Sequence, residues 1–230
     1  MPGAGRAPFR PGEKRRWIRI RFRLNTKGET STAMIEYSRS ITLTVNGEDV
    51  RETVEARTSL VDFLRERLGL TGSHVGCEQG VCGACTVRLD GVTVRGCLTL
   101  AVQCAGSRVE TIEGVSDSGE IADLQDAFVR RNALQCGFCA PGMLLSAQEL
   151  LASRERAGDG VPSREAIRAH LSGNYCRCTG YQAIVDAVEA VARARLGARA
   201  SRPLLELEEE RAGRPPLEEE RAGRPRSGAP

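Results

Sequence analysis

The chain contains the stretch QCGFCAPGM at residues 135–143 and a second cysteine-bearing stretch, GNYCRCTGY, at residues 173–181. Together they supply a C-x2-C pair and a C-x-C pair. Thiolates are metal ligands, and two cysteine-bearing loops can close one site from opposite sides. The sequence therefore predicts that this part of the chain folds around a metal centre with four ligands: Cys136, Cys139, Cys176 and Cys178.

The spacing of these four cysteines fits zinc and iron–sulfur about equally. Each pair precedes a predicted helix, the first before Pro141 and the second before Tyr181. Because a helix N-terminus stabilises negative charge, the position favours an anionic, thiolate-bound iron–sulfur cluster over zinc.

A second group of cysteines lies upstream and consists of Cys77, Cys82, Cys85 and Cys97. The spacing C-x4-C-x2-C followed by a distant cysteine is the plant-type pattern of a 2Fe–2S centre. Zinc fits the x4 gap poorly. Three glycines should allow positive φ and let backbone amides approach the cluster: Gly76, Gly80 and Gly83.

The composition limits the classes of protein that fit. The chain has 230 residues, 40% of them hydrophobic and 4% aromatic, so a base-stacking surface for nucleic acid is not expected. No apolar run is long enough to span a membrane. Of the nine cysteines, Cys104 is left over and is expected to be a small buried hydrophobe. We interpret the others as thiolates rather than disulfides, which indicates a cytoplasmic protein.

The pattern of residues 40–117 predicts a compact domain of strands with one helix. Residues 41–56 alternate apolar and polar around Asn46-Gly47, a hairpin signal. A helix should follow, capped by Ser59 and ended by Gly69. Residues 86–102 indicate two strands around Asp90-Gly91, and residues 108–115 a last strand.

Residues 118–198 carry helical periodicity instead. Apolar residues recur at helical spacing in residues 123–131, 143–151 and 181–196, and Ser163 can cap a further helix. Four short amphipathic helices should form a bundle around one core. The predicted fold class is α+β.

The two ends of the chain differ from its body. Residues 1–39 are predicted to be a basic disordered leader, with nine Lys or Arg against two acidic residues in the first 33. The first convincing strand follows Met34, so we favour a translation start there. Residues 199–230 are predicted to be a disordered charged tail, in which LEEERAGRP occurs twice.

Four motifs closely resemble the iron–sulfur subunit of molybdenum hydroxylases, the xanthine oxidase family, which includes the small subunit of carbon monoxide dehydrogenase. The motifs are GCEQGVCGACTV, GCLTLAVQ, QCGFCAPGM and GNYCRCTGYQAIV, and the resemblance spans residues 40–195. It implies a ferredoxin-like β-grasp domain followed by a helical domain, with one 2Fe–2S cluster in each.

The same resemblance implies a role and partners. Electrons would pass from a molybdopterin centre on a large subunit to FAD on a medium subunit, in a dimer of heterotrimers. Gln135 matches the residue that contacts the pterin, and Cys139 lies beside it. The chain would contain no catalytic residues of its own. His74 is a departure, at a position where relatives often carry Lys.

Two other functions remain possible on the sequence. The first is a free-standing two-cluster ferredoxin, which the pterin-contact glutamine argues against. The second is a zinc-stabilised interaction module, which iron content would exclude.

Overall fold

The structure is a computed structural model that describes residues 37–200, and the side chains of residues 198–200 are not described. The predicted leader (residues 1–39) and tail (residues 199–230) lie outside the described residues, except for residues 37–39 and 199–200. The predicted start at Met34 also lies outside them.

Two hairpins form most of the sheet, as predicted. Strands β1 (Ser38–Val45) and β2 (Glu48–Glu55) are antiparallel, and β3 (Thr86–Leu89) pairs in the same way with β4 (Val92–Arg95). Both turns are two-residue turns with positive φ, at 51° and 88° for Asn46 and Gly47 and at 48° and 81° for Asp90 and Gly91. These angles suit the twist of a hairpin, and Asn, Asp and Gly tolerate them.

Strand β5 (Arg108–Glu110) joins the hairpins into one mixed sheet. The order is β2-β1-β5-β3-β4, with β1 parallel to β5 and the other pairs antiparallel. One face buries an apolar core that includes Leu43, Phe63 and Leu64.

The helix predicted after β2 is irregular. It begins as α1 (Leu60–Asp62), where the Ser59 hydroxyl accepts a hydrogen bond from the Asp62 amide at 3.2 Å, and it continues as a π-helical turn at Phe63–Arg67. Gly69 follows with a φ of 69°. The predicted cap and stop are confirmed, but the segment between them is not a regular α-helix. A 3-10 turn at Ala101–Cys104 packs against the same core.

The predicted strand over residues 108–115 is wrong in its second half. Strand β5 stops at Glu110, and helix α2 covers Ile112–Asp117. Ile112 and Val115, three residues apart, point the same way from a helix and pack into the helical core rather than beneath the sheet. The tertiary core therefore decides the structure of this segment over its strand-like composition.

Four further helices follow, as predicted: α3 (Ala122–Arg130), α4 (Ala140–Ala157), α5 (Arg164–Leu171) and α6 (Gln182–Ala200). The Ser163 hydroxyl caps α5 by accepting from the Ala166 amide at 3.2 Å. With α2 they bury a second core around Phe128, Met143 and Leu151. The α+β fold class is confirmed. Within residues 37–200, no helix is long and apolar enough to cross a membrane.

A half-buried ionic network connects the sheet to the helices. Arg88 on β3 donates to Glu120 at 2.8 and 3.0 Å, and Glu120 also accepts from Gln148 on α4 at 2.8 Å. Gln148 in turn accepts from Arg195 on α6 at 2.8 Å, and Arg195 pairs with Asp123. The network therefore ties one strand and three helices together.

Candidate metal centres

The first candidate centre lies in the loop that leads into β3. Gly80 and Gly83 both have a φ of +74°, as the sequence predicts, whereas Gly76 does not have a positive φ. A Cβ on Gly76 would lie 3.1 Å from the Cys82 Sγ, so this glycine serves close approach instead of turning. Glu78, at which no such conformation was expected from the sequence, also has a left-handed conformation, with a φ of 54°.

Backbone amides converge on the sulfur of Cys77. The amides of Gln79 and Cys82 each donate to the Cys77 Sγ at 3.4 Å. These hydrogen bonds lower the pKa of the Cys77 thiol to about 6, and the one from the Cys82 amide has the largest effect. The loop thus stabilises negative charge on this sulfur before any ligand is considered.

The other three thiols of the first group are close enough to interact electrostatically. Cys82 interacts with Cys77 and Cys97, and Cys85 interacts with Cys97 and Cys82. Burial raises the pKa of Cys85 to about 11. The Gly96 amide donates to the Cys85 carbonyl at 3.1 Å, which holds the turn bearing Cys97 beside the loop. The structure therefore brings all four predicted residues together.

The second candidate centre lies at the start of helix α4. Cys139 is the N-cap residue of α4, and its thiol interacts with Cys176 and Cys136. Burial raises the pKa of Cys139 to about 12. The Cys178 and Cys136 sulfurs lie 3.5 Å apart. All four predicted residues are again brought together, at a helix N-terminus where negative charge is favoured.

Two neighbouring side chains shape the C-x-C loop. The Cys176 Sγ lies 3.1 Å from the Thr179 hydroxyl, and the Cys176 amide donates to the Tyr181 hydroxyl at 2.8 Å. Burial opposes ionisation of Cys176, but hydrogen bonds with Thr179, Cys178 and Cys139 together outweigh it and lower the pKa of this thiol. The exposed Gln135 donates through its Nε2 to the Cys178 carbonyl at 3.1 Å, which places it at the rim of this group.

Cys104 stands apart from both groups. It is fully buried in the sheet core, where burial raises its pKa to about 11. This agrees with the prediction of a small buried hydrophobe.

The residues present fit two iron–sulfur clusters. Each group offers four thiols. In the first group, two backbone amides also donate to the Cys77 sulfur, and Gly76 places no side chain beside the Cys82 sulfur. Within residues 37–200, no three or more His, Cys, Asp or Glu side chains have the arrangement that holds a single metal ion. The four thiolates of a 2Fe–2S cluster are shared between two irons and need not meet at one point.

The sequence reasoning missed the residues that join the two groups. The Tyr175 amide donates to the Cys82 carbonyl at 2.8 Å, and the Asn174 Nδ2 donates to the Gly83 carbonyl at 3.3 Å. Arg95 donates to the Gly173 carbonyl at 2.8 Å. Asn174 and Tyr175 directly precede the first cysteine of the GNYCRC motif. That position is the sequence feature from which their role could have been predicted.

Two protein families match this chain. Residues 43–107 match the family described as a 2Fe-2S iron-sulfur cluster binding domain, and residues 111–189 match the one described as a 2Fe-2S binding domain. The two matches fall on the two candidate centres in order.

Three relatives illustrate the likeness. The chain is 48% identical to caffeine dehydrogenase subunit gamma from Pseudomonas sp. (strain CBB1), over 67% of this chain and 91% of that one. It is 51% identical to the nicotine 6-hydroxylase small subunit of Paenarthrobacter nicotinovorans, over 64% and 86%. A chain of crystalline quinoline 2-oxidoreductase from Pseudomonas putida 86 matches with a TM-score of 0.62 and 48% identity, over 70% of this chain and 99% of that one. This chain belongs to the iron–sulfur small subunits of the molybdenum hydroxylase, or xanthine dehydrogenase, family and is a subunit of an oxidoreductase.

Proposed function

We propose that this chain carries electrons from a molybdopterin centre on a large subunit to FAD on a medium subunit during substrate hydroxylation. One observation carries the proposal. Two groups of four thiols lie in one chain, and their loops are joined backbone to backbone by the hydrogen bond from the Tyr175 amide to the Cys82 carbonyl. A chain that moves electrons between partners needs two centres held at a constant separation, and this joint supplies it.

Each group of thiols is proposed to hold one 2Fe–2S cluster. The ligands of the first would be Cys77, Cys82, Cys85 and Cys97, and those of the second Cys136, Cys139, Cys176 and Cys178. When bound, each cluster takes up and releases one electron.

The chain's own residues would tune the two centres differently. In the first, amides donate to the Cys77 sulfur, and hydrogen bonds to sulfur favour the more negative, reduced state. In the second, the rim residue Gln135 is exposed and available to the pterin. We propose the second centre as the one nearer molybdenum for that reason.

The partners follow from the family. We propose a large molybdopterin-binding subunit and a medium FAD-binding subunit, assembled as a dimer of heterotrimers. The relatives named above act on caffeine, nicotine and quinoline, which are all N-heterocycles. We assign the choice of substrate to the large subunit. The division of this chain near residue 117 and a cytoplasmic location stay predictions.

Electron paramagnetic resonance of the dithionite-reduced protein, purified anaerobically from its native source, tests the proposal. Two distinct spin-half signals and about four irons per chain are expected. Molybdenum and two partner chains should co-purify. One signal with about two irons would leave a single-cluster ferredoxin with a helical appendage and overturn the proposal. Two signals without molybdenum or partners would favour a free-standing ferredoxin instead.

A further inference from the structure

His74 makes two contacts with Phe138. Its Nδ1 lies 2.8 Å from the Phe138 carbonyl oxygen, and the two rings are stacked with centroids 4.6 Å apart and an interplanar angle of 14°. Because a carbonyl oxygen only accepts, Nδ1 is the nitrogen that carries the proton. The carbonyl belongs to the peptide bond that leads into Cys139, so the hydrogen bond acts directly on the backbone of the second centre.

His74 is itself held to the first centre. Its backbone amide donates to the Ala84 carbonyl at 3.1 Å, and Ala84 is buried between Cys82 and Cys85. The preceding carbonyl, that of Ser73, accepts from Arg65 at 2.8 Å. The His74 backbone is therefore fixed on the first cysteine loop while its ring reaches the second.

The Phe138 ring closes the gap between the loops. A Cβ added to Gly76 would lie 3.4 Å from the Phe138 Cε1 and 3.1 Å from the Cys82 Sγ, so the ring and that sulfur share one glycine surface. Phe138 is 45% exposed, which means that no core burial holds it in place. The ring is stacked on His74 of the first loop instead.

We propose that His74 and Phe138 form a latch that sets the distance and orientation between the two metal centres. The proposal rests on the proposed function. Three hydrogen bonds already link the first loop and its hairpin to the loop at residues 173–175, made by Tyr175 with Cys82, Asn174 with Gly83 and Arg95 with Gly173. The latch is a link at a different point, because it holds the other loop of the second centre, the one that bears Cys136 and Cys139. His74 is thus a positioning residue, acting on the Phe138–Cys139 peptide rather than on any reacting atom.

Four variants of the assembled complex separate the two contacts of the latch. His74→Ala removes both the ring and the donor. His74→Phe keeps a ring for stacking but has no donor. His74→Asn keeps a donor nitrogen at the δ position without the ring. Thr71→Ala changes an exposed residue three positions earlier in the same segment and is the matched control.

The readout is the magnetic splitting between the two fully reduced clusters in low-temperature electron paramagnetic resonance, with iron quantified in each sample. Dipolar splitting falls with the cube of the distance and depends on orientation, so it reports the geometry that the latch sets. We expect His74→Ala to decrease the splitting or to lose the second signal. His74→Asn should show most of the splitting of the unaltered protein, and the splitting in His74→Phe should lie between those of the other two variants. Thr71→Ala should match the unaltered protein.

Two results would overturn the latch while leaving the proposed function intact. One is a wild-type splitting in His74→Ala with full iron content. The other is an equal change in His74→Ala and His74→Asn, because the hydrogen bond would then play no part. Absence of two signals in the unaltered protein would instead overturn the proposed function, and the latch with it.

Discussion

The amide of Tyr175 donates a hydrogen bond to the carbonyl of Cys82 at 2.8 Å. Cys82 belongs to the first group of thiols, and Tyr175 directly precedes Cys176 of the second. The two candidate centres are therefore connected through main-chain atoms, which carry fewer degrees of freedom than side chains. A side-chain substitution cannot delete this link, so its neighbourhood must be probed through the residues that pack around it.

Gly83→Ala should destabilise the joint between the two halves. Gly83 has a φ of +74°, and a Cβ there would lie 2.6 Å from both the Gly173 carbonyl oxygen and the Asn174 Nδ2. We expect a backbone cost of roughly 1–2 kcal/mol from the left-handed conformation. Overpacking adds about 1–3 kcal/mol, measured by denaturant unfolding.

Gly91→Ala is the matched control for that experiment. Gly91 has a φ of +81°, but nothing lies within 4 Å of the added Cβ. Gly91→Ala should therefore lower the free energy of unfolding only by the cost of the left-handed backbone conformation. Equal losses in the two variants would show that close packing at Gly83 contributes nothing to stability.

Asn174→Ala should weaken the same joint by removing hydrogen bonds. Asn174 is 1% exposed, accepts from the Ser146 hydroxyl at 2.9 Å and donates to the Gly83 carbonyl at 3.3 Å. The variant leaves the buried Ser146 hydroxyl without this partner, which costs about 1–3 kcal/mol. The Gly83 carbonyl still accepts from the Thr86 amide and hydroxyl, so the loss of its bond from Asn174 adds less. The free energy of unfolding measures the loss. Ser172→Ala, which removes an exposed hydroxyl two residues earlier, should change it little, and a comparable loss there would argue against a specific role for Asn174.

Glu120→Gln should flatten the acid side of the stability profile. The hydrogen bond from Arg88 is the main reason that the pKa of Glu120 is below its usual value. A carboxylate with a lowered native pKa stabilises the fold above its unfolded pKa of about 4.3. That contribution disappears as the pH falls through the native pKa.

Urea unfolding at a series of acidic pH values measures this effect. The variant should be less stable than the unaltered protein at neutral pH, and the two curves should converge as the pH falls. Glu48→Gln, an exposed change on β2, should follow the unaltered protein. Parallel curves for Glu120→Gln and the unaltered protein would rule out the linkage.

Cys139→Ser should remove the cluster of the helical half alone. Cys139 interacts with Cys176 and Cys136, so its thiol lies within the second group. One resonance signal should vanish and the iron content fall to about two per chain. Turnover of the complex with its physiological acceptor should be blocked. Full activity in this variant would refute the proposed electron path.

Cys104→Ala provides the cysteine control. Its thiol is fully buried in the sheet core, away from both groups. The variant should lose some stability through the small cavity it leaves, yet keep both signals. Loss of a signal would mean that the ninth cysteine supports a cluster.

Turns and helix caps could be predicted because their determinants are local. Asn46-Gly47 and Asp90-Gly91 adopt the positive φ values that two-residue hairpins need, and Ser59 and Ser163 accept hydrogen bonds from amides three residues on. The cysteine spacings likewise indicated which thiols would meet. In each case the interacting groups are close in sequence or belong to a recognisable motif.

The structure of residues 108–115 could not be predicted in the same way. Their composition suits a strand, yet Ile112 and Val115 lie in helix α2 and pack into the helical core. Gly76 was also misread, because its value lies in the approach of the Cys82 sulfur and the Phe138 ring rather than in its own φ.

The sequence by itself determined the α+β class, the hairpins, the caps and the membership of the family, since each depends on short-range patterns that survive without the rest of the chain. The tertiary structure decided the strand order, the place of α2 and the contacts between the two cysteine loops, among them His74 with Phe138 and Tyr175 with Cys82. Those contacts join residues far apart in sequence, and only the packing of the two cores brings them within hydrogen-bond distance.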